Sequence, residues 1–222
     1  MRPLAIGLLS LVLALSWSCS VAAQPPPASP QGQQEYKALL QTIDEQIAWL
    51  SNYLEVYPPA ITDEQERQEV EKRLTDTLAY IEKANKENPG NAELLWRLGN
   101  CYRLAHNLDR AGAWKKSEKA LKAAIRIDQK LADSHFILGL LYVNTHPQYA
   151  PAAEKEFLAA QRLAGNKPWP AIHGGLCFAY YYQERFNDAL KQADKYLKLV
   201  PDDSAMKRLR EIIREKIKNQ EA

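Results

Sequence analysis

The side chains best able to do covalent or metal chemistry are four histidines, three cysteines and the carboxylates. His106, His135, His146 and His173 stand apart. None is paired with a second His, Cys or acid at the spacing that puts two metal ligands on one helix face. His135 and His173 each precede a Leu by three residues in corresponding segments, a placement that suggests packing rather than ligation. No Gly-x-Ser-x-Gly, phosphate-cradling glycine loop or Cys-x-x-Cys occurs in the chain. The acids run among lysines and arginines, as in Glu64 to Arg73 and Arg208 to Lys218, which is the pattern of solvated helix faces. The reading is therefore no enzyme, no metal and no cofactor, with non-covalent recognition as the remaining chemistry.

The elements that would carry such recognition are helical. The 222 residues include only 9 Gly and 4 Phe among many Ala, Leu, Lys and Glu, a composition that favours helix over sheet. With 29 Lys+Arg against 27 Asp+Glu the net charge is +2, which excludes a strongly basic nucleic-acid binder and an acidic tail protein. Hydrophobic residues at 46% and charged residues at 25% are those of a globular chain. No alternating strand pattern of useful length appears, so the expectation is an all-α chain.

Residues 1–23 read as a secretory signal peptide. A charged start at Arg2 is followed by an apolar run, Leu4 to Trp17, and a small-residue exit at Val21-Ala22-Ala23. The run is shorter than the roughly 20 residues that span a bilayer. Cleavage after Ala23 would leave 199 of the 222 residues and a periplasmic or secreted protein. Leu15-Ser16-Trp17-Ser18-Cys19 also resembles a bacterial lipobox, although Leu15 stands four residues before the Cys rather than three. Association with a membrane is expected only if Cys19 is lipidated or the signal is retained. Residues 24–34, with Pro25, Pro26, Pro27 and Pro30 among four Gln, predict an extended tether. Cys101 and Cys177 fall inside apolar helical patterns of non-adjacent units, so buried free thiols are expected rather than a disulfide.

From Tyr36 the apolar residues Leu39, Leu40, Ile43, Ile47, Leu50 and Leu54 keep a helical period that Pro58-Pro59 must stop. Thr62 with Gln65 resembles a capping box that restarts it. Val70, Leu74, Leu78 and Ile81 mark a second helix ending before Pro89-Gly90. Beyond residue 90 the chain repeats at a period of 34 to 40 residues. Leu98-Gly99 with Tyr102, Leu138-Gly139 with Tyr142, and Leu176-Cys177 with Tyr180 form a small notch followed by an aromatic. A small residue lets a partner helix approach, and the aromatic fills the space beside it. Gly174-Gly175 inside a helix costs about 1 kcal/mol per residue against Ala, and close packing is the favoured compensation.

With Leu176, Tyr180, Phe186, Ala189 and Pro201 at the family's spacing between residues 170 and 203, the chain resembles the tetratricopeptide repeat (TPR) family. The resemblance extends to Leu138, Gly139, Tyr142, Ala153, Phe157 and Ala160, and to the first helix after Ala92. It implies a right-handed α-solenoid of antiparallel helix pairs with a C-terminal capping helix. The expected units are a degenerate pair at 35–90, repeats at 91–131, 132–167 and 168–203, and a capping helix and tail at 204–222.

The resemblance further implies a concave groove lined by the first helix of each pair. Its candidate lining is Trp96, Asn100 and Arg103, then Phe136, Leu140, Val143 and Asn144, then Phe178, Tyr181 and Tyr182. Each of these aromatics can also serve as packing between repeats, and Tyr180, Tyr181 and Tyr182 cannot all face one way. Asn100 and Arg97 suggest the clamp that some TPR domains close on a C-terminal carboxylate. Phe136 and Ile137 stand where the next repeat would need basic residues, so that clamp is not expected. The predicted function is an exported scaffold that binds a protein or peptide. The alternatives are a membrane-tethered assembly factor of the cell envelope and, from another class, an enzyme with an unrecognised site.

Overall fold

The computed structural model describes residues 29–221, so the expected signal peptide, Cys19 and residues 24–28 of the tether lie outside the described residues. Among the described residues there are nine α-helices and no strand. They are α1 (Pro30–Leu54), α2 (Glu64–Glu87), α3 (Ala92–Asn107), α4 (Ala113–Ile127), α5 (Ala132–Thr145), α6 (Ala150–Ala164), α7 (Pro170–Tyr182), α8 (Phe186–Leu199) and α9 (Ser204–Glu221). A 3-10 turn, Pro147–Tyr149, leads into α6. No described helix is long and apolar enough to cross a membrane.

Two expectations about local structure are corrected. Helix α1 starts at Pro30, with the Ser29 hydroxyl accepting from the Gly32 N–H, so residues 30–34 are helical rather than part of the tether. Proline at a first helical position needs no N–H there and has its φ already set. The N-cap of α2 is Asp63, not Thr62: Asp63 Oδ1 accepts from the Glu66 N–H at 2.8 Å. Glu66 in turn accepts from the Thr62 N–H at 2.6 Å and from its hydroxyl at 3.0 Å, so the returning bond falls on the residue before the cap rather than on the cap itself.

The helices stack as antiparallel pairs, α3 on α4, α5 on α6 and α7 on α8, with α9 closing against α8. The first helices also pack on one another in series, α1 on α3, α3 on α5 and α5 on α7, whereas α2, α4, α6 and α8 form no such row. A stack whose first helices touch while its second helices spread must bend toward the first-helix row. The molecule is a helical solenoid with α1, α3, α5 and α7 on its inner side.

Each glycine notch is filled by the second helix of its own pair. A methyl on Gly99 would sit 2.5 Å from Leu121, and one on Gly139 would sit 2.7 Å from Phe157. The Ser117 hydroxyl donates to the Gly99 carbonyl at 2.7 Å inside the first of these contacts. Phe157 is fully buried and reaches the next repeat as well, where a methyl on Gly175 would meet it at 2.4 Å. Cys101 and Cys177 are buried and free, and burial pushes both thiols up to about 12.

The repeats are also joined by a series of tyrosines. Tyr102, Tyr142 and Tyr180 are each at least nine-tenths buried. The Tyr102 hydroxyl donates to Glu82 of α2, and the Tyr142 hydroxyl donates to Glu118 of α4 at 2.8 Å. Tyr180 lies beside Glu154 of α6, whose charge adds to burial in raising it. A cation covers each ring: Lys116 at 5.0 Å, Lys122 at 6.0 Å and the Arg185 guanidinium at 4.4 Å. Each junction therefore buries a phenol whose polar end is met by the preceding repeat.

Candidate functional site

The inner row divides into a covered half and an open half. On α3 the polar residues are taken up by α1. Arg97 makes a two-point contact with Asp44, at 2.7 Å on both arms, and a third bond to Glu93 at 2.6 Å. Arg103 is 1% exposed and donates to Asn100 Oδ1 at 3.0 Å and to Glu55 at 2.8 Å. Asn107 donates to the Leu54 carbonyl at 2.8 Å, satisfying one of the carbonyls left free at the end of α1. At the other end, the Tyr36 hydroxyl donates to Asn91 Oδ1, the N-cap of α3, at 3.0 Å. These bonds hold α1 along the stripe that would otherwise be the first segment of a groove.

Three predicted groove residues are therefore corrected. Asn100 and Arg103 are buried under α1, and Val143 is buried in the core at 4% exposure. They position helices and offer no surface to a partner. The other seven line the inner row to different degrees. Trp96 is half-buried, with its indole N–H donating to Glu93 at 2.9 Å and the Arg97 guanidinium 4.4 Å from its ring. Phe136 is half-buried between Phe157 at 5.9 Å and Trp169 at 4.8 Å. Leu140 and Tyr181 are half-buried, and Tyr181 packs edge-on against Tyr182 and beside Phe186. Asn144 is exposed. Phe178 at 39% and Tyr182 at 40% are the most exposed aromatics of the row, their rings 6.4 Å apart on one face of α7. Tyr180 is core, Tyr182 is open and Tyr181 lies between, as helical geometry requires.

Sequence reasoning missed Trp169, which stands on the loop just before α7 and carries no periodicity. It also missed the charge of this face. Asp133, at the start of α5, is raised by burial and by the neighbouring charge of Glu93, so carboxylates stand beside Trp96 on the inner row.

His135 and His173 occupy packing positions, whereas His146 is exposed. His135 Nδ1 lies 2.6 Å from Glu156 of α6, and His173 Nδ1 lies 2.8 Å from Gln192 of α8. The two are equivalent bonds from the first to the second helix of successive pairs. Among the described residues no group of three or more His, Cys, Asp or Glu is placed to hold a metal ion.

No family model and no curated protein matches the chain. Among solved structures, the chain is similar to a thermophilic TPR protein of Thermus thermophilus, at 21% identity and a TM-score of 0.40. The match covers 68% of this chain and 94% of that one.

Proposed function

We propose that the protein is a scaffold that binds a protein or peptide along the inner row of its solenoid, chiefly on α5 and α7. The observation that carries this reading is the pair of exposed rings on α7, Phe178 and Tyr182, which meet each other and, through Tyr182, the half-buried Tyr181. Exposed aromatics on a concave helical face are the anchors that extended or amphipathic peptides use. Asp133, at the start of α5 near the Arg97-paired Glu93, favours a partner with a basic residue beside its apolar anchors.

The test is recovery of partners by the wild-type chain beside a Phe178→Ala/Tyr182→Ala variant whose helicity is verified by circular dichroism. A partner held by the wild type and lost by the folded variant supports the groove. Equal recovery moves the interface elsewhere. We further propose export, on the strength of the signal-like segment at residues 1–23. A mature N-terminus at Gln24 accords with cleavage by signal peptidase. Globomycin-sensitive processing to a lipidated Cys19 would identify the membrane-tethered form instead.

A further inference from the structure

A second concavity lies away from the inner-row groove, where α4, α5 and α6 meet. It is an open depression of about 450 Å3 lined by Ile125, Arg126, Gln129, His135, Ala159, Arg162 and Leu163, of which Arg126, Gln129, Arg162 and Leu163 are exposed. Roughly 300–1,000 Å3 is the size of a small-molecule site. The lining contains no carboxylate. Arg126 and Arg162 stand in the last turns of α4 and α6, so successive second helices deliver one guanidinium each to the same cavity.

The acids that could neutralise these arginines are committed elsewhere. Glu118 of α4 pairs with Lys122 at 2.7 Å, Glu154 of α6 pairs with Arg185 at 2.9 Å, and Glu156 pairs with His135 at 2.6 Å. Asp128, just past α4, accepts from the Lys130 N–H at 2.8 Å and keeps its charge, but it does not line the depression. A basic residue in a last turn offsets the helix dipole, which accounts for one charge at each helix end but not for the convergence of both on one acid-free cavity. The wider field has the same sign. Residues 30–90 carry 6 Lys+Arg against 12 Asp+Glu, whereas residues 91–222 carry 22 against 15. Helix α4 contributes Lys115, Lys116, Lys119, Lys122 and Arg126 against the single acid Glu118.

We infer that this cavity is a binding site for a small oxyanion, a phosphate monoester or carboxylate, that carries an apolar arm. The two guanidiniums present planar donor forks to the oxyanion. The Gln129 amide supplies a further N–H donor, and the His135 ring, whose Nδ1–H is given to Glu156, donates from Nε2 only when doubly protonated. His135 is fixed through Nδ1 by Glu156, which leaves Nε2 as its second polar atom. Ile125, Ala159 and the 38%-exposed Leu163 form the apolar wall for the arm. The site is independent of the groove, because none of its residues belongs to the inner-row surface formed by Phe136, Leu140, Phe178 and Tyr182.

The experiment is calorimetric titration of the full-length chain with phenyl phosphate, and separately with inorganic phosphate. Each is repeated on Arg126→Gln/Arg162→Gln and Arg126→Lys/Arg162→Lys variants. One phenyl phosphate should bind per chain, more tightly than inorganic phosphate. The Gln pair should weaken it by about tenfold or more, and the Lys pair by less, because point charge survives but the fork does not. Circular dichroism melts of both variants should match the wild type, since the two side chains are solvent-facing. A wild-type chain that shows no saturable binding, or a Gln pair that binds equally well, overturns the site. Inorganic phosphate binding as tightly as phenyl phosphate overturns the apolar half of the assignment.

Discussion

Gly174 and Gly175 are adjacent in α7, and replacing each by alanine should have opposite effects. In a helix interior Gly costs about 1 kcal/mol against Ala, so either substitution gains that much if the new methyl has room. At Gly174 the methyl would sit 3.4 Å from the Tyr196 ring and 3.8 Å from Met206, which is ordinary contact. Gly174→Ala should therefore be neutral to about 1 kcal/mol stabilising. At Gly175 the methyl would sit 2.4, 2.6 and 2.8 Å from three atoms of the Phe157 ring. That ring cannot retreat, because it is fully buried and its other side lies against Gly139 at the distance a methyl there would meet at 2.7 Å. Overpacking costs about 1–3 kcal/mol, and contacts this short against a pinned ring belong at about 2–3, so Gly175→Ala should come out about 1–2 kcal/mol destabilising after the propensity gain of about 1. Urea melts followed by circular dichroism would read this as a midpoint lowered by about 0.5–1 M, given an m value of about 2 kcal/mol/M. Phe157→Leu in the Gly175→Ala background should recover part of the loss, with an interaction energy of about 1 kcal/mol in the double-mutant cycle. If Gly175→Ala is as stable as Gly174→Ala, or if the cycle is additive, the packing account of these glycines is wrong.

Further outcomes follow from the same contacts. Glu55→Gln leaves the buried Arg103 guanidinium without its carboxylate; the cost should be about 2 kcal/mol, below the range for a fully buried pair because Glu55 is itself near half-exposed, and a thermal melt measures it. Tyr142 is raised to about 12 by burial and Glu118, and Tyr102 and Tyr180 are raised as well. A phenol whose folded value exceeds its unfolded value of about 10 stabilises fully below pH 10 and loses that contribution as pH climbs. Alkaline unfolding should therefore set in between about pH 10 and 12, with tyrosinate absorbance rising together with loss of helicity. Cys101 and Cys177, both pushed up to about 12, should resist iodoacetamide at about pH 8 in the folded chain and react once urea unfolds it, as peptide mapping will show.

The helix pairs were legible in the sequence because their signal is local. The period of Ile43, Ile47, Leu50 and Leu54, or of Val70, Leu74, Leu78 and Ile81, names the buried face before any partner is known. The notches were legible for the same reason, since a Gly followed three residues later by Tyr implies a close helix. What the sequence left hidden is pairing across long separations. Nothing local says that Glu55 will meet Arg103 or that Asp44 will meet Arg97, some fifty residues on. Those bonds are what remove Asn100 and Arg103 from the groove. The series Glu82, Glu118 and Glu154 against Tyr102, Tyr142 and Tyr180 keeps near-repeat spacing, so it was readable in principle once the repeat register was known. The cavity between Arg126 and Arg162 required the second helices to be placed side by side.

The unequal ends of the solenoid decide where a partner's energy should be concentrated. The inner row begins under α1, whose 25 residues run along α3 and consume Arg97, Arg103 and Asn107. It ends at α7, because the closing helix α9 packs mainly on α8 and meets α7 near Gly174 through Met206. Trp96 is tied to Glu93 and covered by Arg97 on one side, so much of its surface is already spent on its own repeat. Phe178 and Tyr182 are less committed, at 39% and 40% exposure. Burying an aromatic anchor on binding is worth about 1.5–3 kcal/mol, in proportion to the apolar area still open. Phe178→Ala and Tyr182→Ala should therefore each weaken a groove partner by about tenfold or more, whereas Trp96→Ala should cost less in binding and more in stability. Binding measured by surface plasmon resonance, with a melt for each variant, separates the two. A Trp96→Ala loss larger than both others, in a chain that melts normally, would place the partner at the α1 end and require α1 to move.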